Sequence, residues 1–130
     1  MFIACWMYDV HYGAKADALE VLKEFESRKR ECGWRARRAR ILSGSIGVAE
    51  ARIVVENEFD SLDDLERSWD ALHRHDAFKR CVEKMQRFVV SGSPRWEIYR
   101  LVETIAGSRE ANASRLASAS RPSSRARGSP

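Results

Sequence analysis

The sequence predicts an α+β protein with a ferredoxin-like βαββαβ order, a four-stranded antiparallel sheet with both helices on one face. Two observations carry this prediction. Apolar residues recur at three- and four-residue steps in two long segments, which is typical of amphipathic helices. Four shorter segments, rich in β-branched and aromatic residues, come before, between and after them in the order that this topology requires.

The first strand is predicted over residues 2–10, FIACWMYDV, and the first helix over residues 14–32. Gly33 follows this helix at the position where a left-handed residue commonly ends one. Side chains alternate between the two faces of a strand, so the phase of the first strand decides which of them meet the helices. We expect Ile3, Cys5 and Met7 to face the helices, and Phe2, Ala4, Trp6 and Tyr8 to lie on the opposite face.

The second and third strands are predicted over residues 34–42 and 49–59. The Ser- and Gly-rich segment between them, residues 43–47, is short enough to predict a hairpin. In the third strand, apolar and charged residues alternate, so its apolar set is expected to face the helices: Ala51, Ile53, Val55 and Phe59.

The second helical region is predicted to begin at Ser61, because Asp64 three residues later completes a pattern like a capping box. The apolar spacing slips over residues 73–76 and then resumes. We therefore expect a kink or break there, with Asp76 as a candidate cap for the helix that restarts.

The last strand is predicted over residues 95–102, with Trp96 and Ile98 toward the helices. Residues 106–130 are Ser, Ala and Arg with almost no large apolar side chain. Such a composition buries too little apolar surface to offset the entropy of ordering. The sequence therefore predicts one folded domain, residues 1–105, and a disordered tail, residues 106–130.

The net charge of the 130-residue chain is +4, with 23 basic and 19 acidic residues. Five arginines and one acid in residues 106–130 account for all of this excess, so the folded part is electrically neutral. A neutral domain does not require a polyanionic partner, and we expect no specific nucleic-acid binding. RNA-binding sheets of this topology also need aromatic residues where the third strand offers acids.

Other classes of protein are excluded by simple patterns. No apolar run is long enough to span a membrane, so no membrane association is expected. The three cysteines are widely spaced and odd in number, which indicates reduced thiols and a cytoplasmic location. The chain carries no GxGxxG segment, P-loop or paired zinc-type cysteines, and we expect no cofactor and no metal.

The sheet face opposite the helices predicts the oligomeric state. With Trp6 and Tyr8 on it, this face would expose large aromatic side chains among charged ones. Such a surface is a liability unless it is covered. We therefore expect a homodimer in which two sheets pair face to face and enclose a cavity.

The element order, the segment ENEFDSLDDLERSWDAL at residues 56–72 and the closing PRWEIYRLV at residues 94–102 resemble the dimeric α/β barrel superfamily. The most similar groups are antibiotic biosynthesis monooxygenase-like and NIPSNAP-like. The resemblance spans residues 1–105 and implies a homodimer with a ligand pocket between each sheet and its helices or loops. Members include cofactor-independent oxygenases and cyclases of aromatic polyketides, and haem-degrading or chlorite dismutase-like proteins.

The sequence departs from these families at one functional position. Several of them carry a histidine before an aromatic in the middle of the second helix, where this chain has Ala77-Phe78. His73 and His75 are displaced from that position, which weighs against haem ligation and a cyclase-type base. The resemblance to the oxygenases implies that an Asn, a Trp and a Tyr hold a phenol; Asn57, Trp69 and Tyr8 or Tyr99 are available.

The candidate site residues follow from their chemistry and, for Asn57, from the resemblance to the oxygenases. A histidine, His73 in preference to His11 or His75, can act as a general base, Tyr8 can shuttle a proton, and Glu56 is a possible acid or base near the dimer seam. A three-histidine metal site is the rarer alternative, since solvated or capping histidines are commoner. The candidate substrate-binding residues are Trp6, Trp69, Asn57, Tyr99 and Arg37, with plain packing of the aromatics as the alternative.

Arg37 belongs to a basic segment that also contains Arg35, Arg38 and Arg40. This segment fits an anionic ligand, but it also fits ion pairs with acids of the neighbouring strand.

Together these observations predict a secondary-metabolism tailoring enzyme. It would bind a hydrophobic aromatic or polyketide-like molecule and promote oxidation, cyclisation or proton transfer without a tightly held cofactor. The alternatives are a non-catalytic ligand-binding or scaffold module and, less favoured, a haem-binding protein.

Overall fold

The structure, a computed structural model, describes residues 1–106, and the predicted disordered tail lies outside the described residues except for Ala106. Helices cover one face of a four-stranded antiparallel sheet, which confirms the predicted ferredoxin-like fold. The elements are β1 (Phe2–Asp9), α1 (Lys15–Arg28), a 3-10 turn (Lys29–Cys32), β2 (Arg38–Ser43), β3 (Arg52–Phe59), α2 (Leu62–His73), α3 (Asp76–Gln86) and β4 (Arg95–Arg100). The strand order is β2-β3-β1-β4.

The hairpin of β2 and β3 forms as predicted, but β2 begins at Arg38 and not at Trp34. The indole of Trp34 is buried under the sheet, where its Nε1 donates a hydrogen bond to Asn57 Oδ1 at 3.0 Å. Trp34 and Ala36 therefore pack in the core, and the segment from Trp34 to Arg37 does not extend the edge strand.

The predicted phase of β1 is wrong. Trp6 pairs across the ladder with Val55 and Trp96, and these side chains point toward the helices together with Ala4 and Tyr8. Cys5 lies on the opposite face, beside Glu56 and Glu97. Consequently Trp6 and Tyr8 do not lie on the sheet face opposite the helices, the uncovered face. Of the aromatic side chains whose exposure there predicted a homodimer, Tyr99 remains.

The uncovered face protects its apolar residues with charged side chains. Cys5 and Met7 are both less than a tenth exposed although no helix covers them. Arg95 Nε lies 3.2 Å from Met7 Sδ, and Arg40 and Glu56 form an ion pair at 2.6 Å beside Cys5. Long side chains can shield apolar surface in this way while their charged ends stay in water.

The second helical region begins and breaks where the sequence predicts. Ser61 caps α2, since its Oγ accepts a hydrogen bond from the backbone N–H of Asp64 at 3.1 Å. A break then separates α2 from α3. The cap of α3 is His75, whose Nδ1 accepts from the backbone N–H of Ala77 at 3.3 Å, so the expectation of an Asp76 cap is wrong.

Close contact between the 3-10 turn and α2 depends on Gly33. Its φ is +87°, in the left-handed region that glycine adopts without strain. A Cβ at this position would lie 2.8 Å from the Cβ of Ala71, so a larger residue would push the turn away from α2. No helix in residues 1–106 is long and apolar enough to cross a membrane.

Candidate functional site

A cavity of about 330 Å³ lies between the sheet and the helices. Its sheet wall comes from β1, β3 and β4, and its helix walls from α1, α2 and α3, so residues distant in the sequence meet there. The lining is apolar for the most part. The lining includes Trp6, Tyr8, Trp96, Glu26, Lys29, Trp69, His73, Phe78 and Cys81.

Three indole rings form one wall of the cavity. The ring centroids of Trp6 and Trp96 lie 4.7 Å apart, and those of Trp69 and Trp96 lie 5.1 Å apart, both in edge-to-face geometry. Cross-strand pairing places Trp6 beside Trp96, and α2 brings Trp69 against both. Edge-to-face contacts are a favoured geometry of aromatic pairs, so the three rings hold one another in place on this wall.

His73 lies at the exposed mouth of the cavity, in the last turn of α2. Its ring packs against Trp69, with 4.4 Å between centroids, and against Phe78 at 5.1 Å. Its Nδ1–H donates to the backbone carbonyl of Trp69 at 2.8 Å. In the neutral imidazole this bond leaves Nε2 as an acceptor, so the free nitrogen can take a proton or accept a hydrogen bond from a ligand.

Tyr8 and Cys81 place a hydroxyl and a thiol on the cavity wall. Burial, with smaller contributions from Cys81 and Glu26, raises the pKa of Tyr8 well above its usual value. Burial also raises the pKa of Cys81, to about 11. Both groups therefore stay protonated near neutral pH, so Tyr8 offers an O–H donor and Cys81 is a poor nucleophile.

A buried ion pair on the cavity wall joins Glu26 of α1 to Lys29 of the 3-10 turn. Lys29 Nζ lies 2.9 Å from Glu26 Oε1 and 4.0 Å from the ring centroid of Trp34. The exposed fractions of the two side chains are 9% for Lys29 and 11% for Glu26. Burial lowers the pKa of Lys29, an effect that Glu26 opposes.

Glu26 and Lys29 were not among the predicted site residues, although the sequence carries a signal for the pair. Lys29 continues the buried stripe of Leu22 and Phe25 at helical spacing, where a charged residue needs a partner. Glu26 is that partner, three residues earlier. Two buried polar atoms of the lining residues lack a hydrogen-bond partner among residues 1–106: Glu26 Oε2 on the helix side and Trp96 Nε1 on the sheet side.

The cavity brings together half of the predicted site residues. Trp6, Tyr8, Trp69 and His73 all line it. Asn57 is fully buried on the same side of the sheet, but it is not part of the lining. Its Oδ1 accepts from Trp34 Nε1, while its Nδ2 has no partner among the described residues.

The other three predicted residues lie away from the cavity. Glu56 is on the uncovered sheet face, in the ion pair with Arg40. Tyr99 lies on the same face, where its hydroxyl donates to Glu97. Arg37 is exposed and forms an ion pair with Asp60 at 2.8 Å.

The histidines do not form a cluster. His73 lies at the cavity mouth, and His75 caps α3. Within residues 1–106 there is no group of three or more His, Cys, Asp or Glu side chains placed to hold a metal ion.

Comparisons with known proteins gave matches in structure only. No family model matches the sequence, and no curated protein matches it. A NIPSNAP family protein of unknown function from Agrobacterium tumefaciens superposes with a TM-score of 0.66 and 18% identity, over 78% of this chain and 87% of that one. An uncharacterised NIPSNAP domain protein from Burkholderia xenovorans gives a TM-score of 0.67 and 8% identity, over 82% and 100%.

The second group of similar structures consists of antibiotic biosynthesis monooxygenase-like proteins. One from Caulobacter crescentus superposes with a TM-score of 0.62 and 18% identity, over 78% of this chain and 90% of that one. Identities this low establish a fold and not an activity. The chain therefore has the fold shared by NIPSNAP family and antibiotic biosynthesis monooxygenase-like proteins, as its sequence resemblance predicts.

Proposed function

We propose that the chain binds a hydrophobic aromatic molecule of the polyketide-like class in the cavity, and promotes its oxidation, cyclisation or proton transfer without a tightly bound cofactor. The observation that carries the proposal is the apolar cavity walled by Trp6, Trp69 and Trp96. Ligand pockets combine such apolar walls with a few polar groups that fix orientation.

The polar groups at this cavity suit proton transfer. The protonated hydroxyl of Tyr8 can donate to a carbonyl oxygen of a ligand, and His73 Nε2 can accept a proton at the mouth. Glu56 is on the other side of the sheet, so the role of base falls to His73, with Tyr8 as the hydrogen-bond donor.

Ligand binding can be measured by quenching of tryptophan fluorescence, because three of the four tryptophans line the cavity. We expect 2-naphthol to quench the emission of the wild-type protein. Trp69→Leu keeps an apolar side chain but removes the ring that contacts the other aromatics, and should weaken binding about tenfold. The matched control is Tyr12→Leu, since Tyr12 is fully exposed. Equal affinities of wild type and Trp69→Leu would place the ligand elsewhere.

Catalysis is tested with anthrone, which dissolved dioxygen oxidises to anthraquinone and water. We expect the wild-type protein to accelerate this reaction. Tyr8→Phe and His73→Ala should each lower turnover at least tenfold, with smaller changes in affinity, because they remove the hydrogen-bond donor and the base and leave the tryptophan wall in place. Binding without any acceleration over buffer would instead favour the non-catalytic binding module.

We also propose that the chain forms a homodimer through the uncovered sheet face. Leu42 and Tyr99 are exposed there among charges of both signs, a mixture that suits a self-complementary contact. Light scattering of the full chain should give twice the chain mass of 14.9 kDa. A measured mass equal to one chain would contradict the proposed dimer. The cytoplasmic location and the absence of a specific nucleic-acid partner stay predictions from the sequence.

A further inference from the structure

We infer that a groove between α1 and α3 docks an acidic amphipathic helix of a partner protein. This groove has a volume of about 80 Å³ and is distinct from the larger cavity between the sheet and the helices. Pockets for small-molecule ligands commonly measure about 300–1,000 Å³, so the groove has the size for one side chain of a larger partner. The inference goes beyond the proposed function and does not depend on it.

The floor of the groove is apolar and is built from both helices. Val21 and Phe25 of α1 face Ala77 and Cys81 of α3 across it. Within each helix the two residues are four apart, so they lie on one face, one turn above the other. All four side chains are buried or half-buried. An apolar side chain that enters from outside therefore meets apolar atoms on both sides.

The rim of the groove carries an excess of positive charge. Arg28, Arg80 and Lys84 are exposed there, with Glu24 as the acid among the lining residues. None of these three cations forms an ion pair within residues 1–106. Arg80 and Lys84 are also one turn apart on α3, a spacing at which like charges destabilise a helix. The rim therefore lacks counter-charges, which a partner can supply.

An acidic amphipathic helix satisfies the floor and the rim together. Helices of this kind dock by laying apolar side chains into a groove, and acids beside the apolar stripe can pair with the cations of the rim. A small inorganic anion would leave the apolar floor unused. The tail of this chain, residues 106–130, is not the occupant, because its five arginines and one acid would be repelled by the rim.

The groove and the cavity share part of their walls. Phe25 and Cys81 line both spaces. A helix docked in the groove therefore contacts side chains that also bound the cavity, and one layer of side chains separates the partner from the cavity.

The experiment uses a designed, fluorescein-labelled peptide of about 20 residues, with Leu at every third or fourth position and Glu on both sides of that stripe. Fluorescence anisotropy measures its affinity for the full chain. The groove variant, Arg28→Glu/Arg80→Glu, should bind it about tenfold more weakly or worse, because two attractive contacts become repulsive. The matched control is Lys23→Glu/Lys79→Glu, which changes the charge equally at exposed positions of the same helices outside the groove. It should lose less than about threefold, since charges away from the contact are screened by salt.

Two further peptides test the rim and the floor separately. Replacing every Glu of the peptide by Lys should abolish binding, because the rim then repels it. Replacing every Leu by Ala keeps the helix propensity but removes the side chains that reach the floor, and should weaken binding about tenfold. Equal affinities of the Leu and Ala peptides would mean that charge alone holds the peptide, and the inference of a docking groove would be wrong.

Other results would also overturn the inference. One is that the wild type does not bind the acidic peptide, and another is that the groove variant and its control lose affinity equally. Tighter binding of an oligothymidylate of the same net charge, weakened by the groove variant, would make the groove a nucleic-acid site instead. A wild-type assembly larger than a dimer, which the groove variant dissolves in light scattering, would make a second copy of this chain the occupant.

Circular dichroism checks that the groove variant folds. Should it not, Arg28→Gln/Arg80→Gln is compared with Lys23→Gln/Lys79→Gln. Neutralising the groove should then weaken binding about threefold more than neutralising the control positions, and an equal loss would contradict the inference.

Discussion

Replacing Lys29 with methionine is expected to destabilise the fold by about 3–5 kcal/mol, because it leaves the buried carboxylate of Glu26 without its counter-charge. Adding Glu26→Leu to this variant should recover most of the lost stability, since an apolar pair of similar volume commonly replaces a buried ion pair at little cost. Urea unfolding of both variants measures the two free energies.

The control for this prediction lies on the same helix. Lys23 is exposed, so Lys23→Met should change the free energy of unfolding by no more than about 0.5 kcal/mol. If Lys29→Met were as mild as Lys23→Met, the charge of Glu26 would be solvated in the folded state. The description of the pair as buried would then be wrong.

Truncating Phe59 to alanine should cost about 3–5 kcal/mol of stability. Phe59 ends β3 with no exposed surface, and its ring contacts that of Trp34 edge to face, with 5.3 Å between centroids. The truncation removes this contact and opens a cavity in the core at the end of β3. The drop in the urea midpoint, at unchanged slope, measures it.

Ile46→Ala is the matched control for Phe59, because Ile46 is almost fully exposed in the β2–β3 turn. It should leave the midpoint nearly unchanged. A small effect at Phe59 would mean that the neighbouring side chains close over the gap, and that this end of the core is more deformable than its packing indicates.

The element order could be predicted because apolar residues repeat clearly at helical spacing in the helical segments. The faces of β3 and β4 could be predicted because apolar and polar residues alternate along these strands. β1 could not be placed in this way. Its residues from Phe2 to Tyr8 are nearly all apolar, so period-two alternation gives no phase. The phase is fixed by tertiary contacts instead, with Tyr8 packing against Leu22 and Ile53 while charged side chains shield Cys5.

In the candidate site, too, some residues could be predicted from the sequence and others could not. Trp69 and His73 could be predicted as neighbours because they lie one helical turn apart on α2. The opposing residues Glu26 and Lys29 could not, since charged side chains on an amphipathic helix usually face solvent. Asn57 was predicted from the resemblance to the oxygenases, and only the structure shows that its side-chain oxygen is occupied by Trp34.

The break between α2 and α3 gives the cavity two walls with different freedom to evolve. The sheet wall carries Trp6 and Trp96, which are locked by strand pairing, so changes there disturb folding. The wall on α3, which includes Phe78 and Val82, belongs to a short separate helix with its own cap. Substitutions on α3 can therefore reshape the cavity while the strand register stays intact.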